Sequence, residues 1–198
     1  MRSLVLCSVL LLISTLNASS AFAATLNVVG GQLMGASNVL VDGSLYDVQF
    51  LDGTCIDLYN GCDEVSDFTF QTEASATLAS QALLDQVLLD GVESFYTDVH
   101  LTNGCHGIFT GGPCLIQTSF MPPTPPGSVY MHAGVGLLRL PGLHLIMPRT
   151  YLLPAADSTE SPEFVYATWS PVPEPSTALL LGLGLTGLAG KGRSRNRS

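Results

Sequence analysis

The stretch Asn38-VLV-Asp42-Gly43-Ser44-LYDVQ-Phe50 decides how the fold is read. Two β-forming runs flank an Asp-Gly pair, and both of those residues tolerate the positive φ that a tight hairpin turn requires. The same character continues upstream through Leu26, Val28, Val29 and Leu33, punctuated by Gly30-Gly31 and Gly35, and Asp52-Gly53 closes the second run. Residues 26–50 are therefore expected to open the domain as a β-meander.

Further along, one helix is expected from Glu73 to Asp90. Ala76, Ala79, Leu83 and Val87, with Leu84 and Leu88 beside them, form an apolar stripe at helical spacing. Thr72 suits the N-cap and Gly91 the C′ position, while Gln81, Asp85 and Gln86 on the polar face form no constellation. Phe68-Thr-Phe70 and Phe95-YTDVHL-Thr102 read as strand-like, as do Leu115–Phe120, Val129–Leu140, Leu143–Leu153 and Phe164–Trp169. The proline pairs Pro122-Pro123 and Pro125-Pro126 exclude helix and interior strand, and place an extended surface loop between two of these runs. The fold class is mainly β (α+β): an antiparallel sheet or sandwich-like domain with one packed amphipathic helix and disulfides.

Both ends differ in kind from this domain. Met1–Ala23 has the n-region cation Arg2, the apolar run Leu4-VLCSVLLLI-Ser14 and the A-x-A site Ala21-Phe-Ala23, so export and cleavage after Ala23 are expected. At the other end Val172-Pro-Glu-Pro-Ser-Thr177 leads into a Gly-punctuated apolar run to Gly190 and a basic tail, Lys191-GRSRNR-Ser198. From Ser176 to Gly190 a helix would reach about 22 Å, short of the roughly 30 Å of membrane hydrocarbon. Lys191 and the arginines after it would stay cytoplasmic by the positive-inside rule, while the N-terminal side is exported. The chain thus divides into 1–23, a domain at 24–170, and a tail at 171–198. Between the ends only Arg139 and Arg149 oppose fifteen Asp and Glu residues, a charge that repels nucleic acid and anionic head groups.

Cys7 leaves with the signal segment, and four cysteines remain. In an oxidising compartment disulfides are the default. Cys55 with Cys62 and Cys105 with Cys114 need only two short loops, each stabilising by about 2.5 kcal/mol in the chain-entropy model; crossed pairing would close longer ones. A thiolate zinc site is disfavoured because its cysteines usually come in pairs two to four residues apart. Asp52, Asp57, Asp63, Glu64 and Asp67 crowd the first cysteine loop and are the candidate calcium ligands, set against a solvated acidic surface. His100, His106, His132 and His144 are scattered without metal-binding spacing, and no G-x-S-x-G elbow accompanies them. Tyr46, Tyr59, Tyr96, Tyr130, Tyr166 and Trp169 could line a sugar-binding face, or serve as core. Gly30-Gly31 and Gly111-Gly112 lack phosphate-loop spacing.

The tail resembles the PEP-CTERM sorting signal, with Pro173, Glu174 and Pro175 in the diagnostic position. That resemblance implies recognition and cleavage by exosortase, an integral-membrane cysteine transpeptidase, and transient anchoring through the C-terminal segment. It also implies a destination at the cell surface or in an exopolysaccharide matrix. One departure is the basic tail, which is interrupted rather than a solid arginine run. The domain, with Gly31-QLMGASNVLVDGSLYDVQFLDGT-Cys55 and Asn103-Gly-Cys105, is similar to a recurrent kind of passenger for which the resemblance supplies no activity. A non-enzymatic surface or matrix component without cofactor is expected, with a carbohydrate-binding module and a secreted hydrolase as rivals.

Overall fold

The Asp-Gly pair turns the chain as its residues demand. In the structure, a computed structural model, β2 (Gln32–Val41) and β3 (Ser44–Leu51) pair antiparallel with Val41 opposite Ser44. Asp42 and Gly43 have φ of 48° and 83°, the doubly positive turn whose twist suits a two-residue hairpin. β1 (Thr25–Val29) adds to β2 across Gly30-Gly31 and completes the expected meander. The β2–β3 register shifts by one residue between Ala36 and Val39. Asn38 sits in this bulge with φ 59°, and its N–H donates to the Asp47 carboxylate at 3.0 Å. The residues described are 23–91, 94–95, 97–105, 113–122, 132–140, 143–161 and 164–173.

Four more strands extend this meander into one seven-stranded sheet: β4 (Cys114–Phe120), β5 (His132–Leu140), β6 (Leu143–Leu152) and β7 (Phe164–Pro171). The order is β1-β2-β3-β7-β4-β5-β6. Mainly β architecture is as expected, but the sheet is mixed, because β4 and β7 run parallel while every other pair is antiparallel. The parallel pair arises when the chain leaves β6 at the edge, passes β5 and β4, and inserts β7 in the middle. Residues 164–167 of β7 are buried on both faces, as a central strand requires.

Alternation along the strands sorts the core into two layers. On one face Val39, Val41, Val48, Phe50, Ile116, Leu137, Val165, Ala167 and Trp169 meet Ala76, Ala79 and Leu83 of α2 (Glu73–Gln86). The small alanines let this helix lie close over β2, β4, β5 and β6. On the other face Phe164 and Tyr166 meet Cys55, Tyr59, Cys62 and Phe68 of the first cysteine loop, which includes the short α1 (Cys55–Leu58). The sheet is therefore covered by a helix on one side and a disulfide-closed loop on the other.

Three local expectations are corrected. The helix stops at Gln86 with Val87 as C-cap, so Gly91 is not its C′ residue; Leu88 N–H turns back to the Leu83 carbonyl at 2.8 Å and its side chain enters the core. Phe68 and Phe70 are buried on opposite faces of the sheet but belong to no strand. The segment 95–102 contains a 3-10 turn, Val99–Leu101, in place of a strand, because the Asp98 carboxylate caps the His100 N–H and offers the backbone a local partner. The N-cap expectation holds: Thr72 and Ser75 cap each other's backbone N–H at 3.2 Å. On the polar face, the Gln86 amide bonds both N–H and C=O of Leu40 at 2.9 and 2.8 Å, docking the helix onto β2.

Candidate functional site

β7 carries the chain out of the middle of the sheet and straight into the tail. Pro171 lies opposite Tyr46, and the Val172 N–H donates to the Leu45 carbonyl at 2.9 Å. Pro171 and Pro173 are exposed, so the first residue of the Pro-Glu-Pro motif emerges beside the Asp42-Gly43 turn. Glu174 and Pro175 lie outside the described residues, as does Ala21. Ala23, the expected cleavage residue, is exposed two positions before β1. At the exit end, between the β2–β3 turn and the first turns of α2, is a cleft of about 200 Å³ lined by Asp42, Ser44, Tyr46, Thr69, Phe70 and Leu78.

The cysteines pair locally, Cys55 with Cys62 and Cys105 with Cys114, at Cα separations of 5.7 and 5.5 Å. The candidate calcium ligands are not brought together. Asp57 accepts from the Thr54 hydroxyl at 2.7 Å at the start of α1. Asp67 accepts the N–H groups of Asp63 and Glu64 at 3.0 and 2.9 Å, with Glu64 completing a capping box. Asp52 accepts from Ser158 at 3.1 Å, tying the end of β3 to the segment that precedes β7. Among the described residues no group of three or more His, Cys, Asp or Glu is placed to hold a metal ion.

Asn103-Gly104-Cys105 has a physical explanation. The Asn103 amide donates to the Phe50 carbonyl at 2.8 Å and its N–H to the Leu33 carbonyl at 3.0 Å. Gly104 has φ +81°, and a Cβ there would lie 2.5 Å from a Val165 methyl and 2.8 Å from the Asp52 carboxylate. Cys105 then closes its disulfide. Because Val165 is branched and wholly buried in β7, Gly104→Ala is expected to cost about 2 to 3 kcal/mol, combining backbone strain with overpacking. The midpoint of urea unfolding measures it.

One group was not anticipated. Arg139 is fully buried, the one charged side chain so placed among the described residues. Its guanidinium donates to the Phe95 carbonyl and the Thr102 hydroxyl, and its Nε to His144 Nε2 at 3.4 Å. Burial pushes its pKa down to about 10, against the opposing pull of Asp98 and Asp90, so it stays charged at neutral pH. The period-2 pattern of β5 was the available signal, because it places Arg139 on the face of Leu137. His144 beside it is lowered by desolvation first and by the guanidinium second, with Asp90 opposing. The folded state therefore holds His144 neutral while the unfolded chain takes up a proton near pH 6.5, and stability falls as pH drops through that value. His144→Gln should lose less stability than the wild type between pH 7.5 and 5, read as the shift in urea midpoint.

Among the described residues, the remaining histidines and aromatics do not gather at one surface site. His100 Nδ1 lies 3.3 Å from the Cys105 carbonyl; His106 and the His132 side chain lie outside the described residues, as do Tyr96, Tyr130 and Gly111-Gly112. Tyr59 donates to the Ala167 carbonyl at 3.1 Å, and burial pushes both its hydroxyl and that of Tyr166 up. Tyr59, Phe164 and Tyr166 meet edge-to-face. Trp169 donates to the Thr118 hydroxyl at 3.3 Å. These are core aromatics; Tyr46 is half-buried at the edge of that core, its ring 5.0 Å from Phe70 and 6.4 Å from Trp169, and it also lines the cleft.

No curated protein and no solved structure matches the chain. No helix among the described residues is long and apolar enough to cross a membrane. The family comparison finds the PEP-CTERM protein-sorting motif at residues 171–195, beginning on the last residue of β7. The chain carries an exosortase sorting signal on the end of its central strand, which implies export and C-terminal membrane anchoring before processing.

Proposed function

We propose that residues 24–170 are the cargo of this signal, a non-enzymatic domain that ends as a cell-surface or extracellular-matrix component. The sorting motif that follows β7 without a spacer carries this reading. Three features support it. Two disulfides suit an oxidising exterior. Near the first cysteine loop, Asp57 accepts from the capping hydroxyl of Thr54, and Glu64 and Asp67 form a capping box. The domain's acidity favours solubility over nucleic-acid binding.

Association with exopolysaccharide is the finer form of the proposal, supported by the half-buried Tyr46 among Asp42, Ser44 and Thr69 in the cleft. An aromatic face beside polar groups is the chemistry that a sugar ring meets in binding sites. Affinity electrophoresis through gels containing the producing strain's own polysaccharide tests it, with Tyr46→Ala expected to abolish any retardation. Equal migration with and without polysaccharide would leave a matrix component with no direct glycan contact. For the sorting itself, peptide mapping of the mature protein is decisive: loss of Lys191–Ser198 is expected, and its retention would sink processing.

A further inference from the structure

The tail and the fold together fix how close the domain lies to the bilayer before it is cut. Pro171 is paired in the sheet and Val172 is hydrogen-bonded to Leu45, so Val172 is the last residue that the sheet is seen to hold. Four residues separate Pro173 from the apolar run that begins at Ala178. Even fully extended, those five steps reach at most about 18 Å. A domain of this size has a radius of gyration of about 15 Å, so the tether is hardly longer than the domain's own radius. The exit end of β7 therefore stays within about 18 Å of the start of the apolar run.

Resting on the sorting reading, we propose that this end of the domain, with the Asp42-Gly43 turn and the adjoining cleft, is held against the lipid head groups in the anchored precursor. The partner is the bilayer surface, and the tether alone imposes the contact. The turn at the exit brings a carboxylate, Asp42, and the domain has two arginines against fifteen carboxylates, with Arg139 buried. An acidic body of this kind has no electrostatic attraction to anionic lipid. Cutting the tail therefore frees this end of the domain from the surface.

The chain contains a natural ruler. Trp169 is its single tryptophan and lies two residues before the end of β7. The chain from Ala24 to Ser198 is reconstituted in vesicles of phosphatidylethanolamine and phosphatidylglycerol carrying a dansyl-labelled phosphatidylethanolamine, and energy transfer from Trp169 is measured. Strong transfer is expected, falling about threefold or more when twenty Gly/Ser residues are inserted after Pro173, because such a linker adds roughly 25 Å of reach. Equal transfer in the two chains overturns the apposition while leaving sorting intact. Flotation of the vesicles separates the two failures: a chain that does not float with them overturns the anchoring reading, and this inference with it.

Discussion

Arg139→Met should lower the stability of the domain by about 3 to 5 kcal/mol, the range seen when one member of a buried charged network is removed. Methionine roughly conserves volume, so the loss reports polar interactions more than a cavity. Two acceptors in the core, the Phe95 carbonyl and the Thr102 hydroxyl, lose their donor. Asp98 and Asp90 lose the positive charge that faces them. Those groups all belong to the crossing segment after α2, whose only regular element among described residues is the 3-10 turn at Val99–Leu101. Arg139 therefore stands in for the ladder bonds that this segment lacks. Lysine would keep the charge but not the fork, and Arg139→Lys should remain well below wild type. Urea unfolding at pH 7 measures both. A Met variant as stable as the parent would show that desolvating the guanidinium costs as much as its bonds return, and that Phe95, Val99 and the Cys105–Cys114 disulfide hold the segment without it.

What was legible in the chain was local. The Asp42-Gly43 turn, the Thr72 cap and the pairing of near cysteines each depend on a few neighbouring residues, and each appears as expected. Strand order is a non-local property: nothing in Phe164–Trp169 says that this run enters between β3 and β4. The segment 95–102 misled because Phe95 and Val99 are both buried, as strand residues would be, yet Asp98 satisfies the backbone from its own side chain. The helix end moved because two tertiary contacts, Gln86 on Leu40 and Leu88 in the core, override the glycine farther on. Arg139 stayed hidden for a different reason. Its charge argues for the surface while its place in the β5 alternation argues for the core, and only the partners on a distant segment resolve that conflict. The acidic residues around Cys55 and Cys62 show the same limit, since composition cannot distinguish a carboxylate that caps a backbone N–H from one that awaits a cation.

Gly35→Ala should be the most damaging single methyl group among the described glycines, costing about 4 kcal/mol or more, in the range reserved for frank steric failure. Gly35 lies in β2 opposite Gln49 of β3 and Asn27 of β1. Its φ is +154°, and an added Cβ would stand 2.1 Å from the Val48 carbonyl oxygen and 3.0 Å from the Gln49 Cα. Those are backbone atoms, so no rotamer change relieves the contact. Nor can β3 retreat, because Val48 and Gln49 are paired on the other side with Trp169 and Thr168 of the central strand. The remaining escape is for β2 to part from β3, and β1 would go with it. Such a loss rivals the whole stability of a typical domain, so the variant should be largely unfolded by circular dichroism and scarce among exported protein. Gly91→Ala is the matched control: a Cβ there meets nothing within 4 Å, and its effect should stay within about 0.5 kcal/mol. If Gly35→Ala instead melted with the parent, β2 and β3 could not approach as closely as the bulge between Ala36 and Val39 requires. The register that places Tyr46 opposite Pro171, and with it the exit of the sorting tail, would then have to be redrawn.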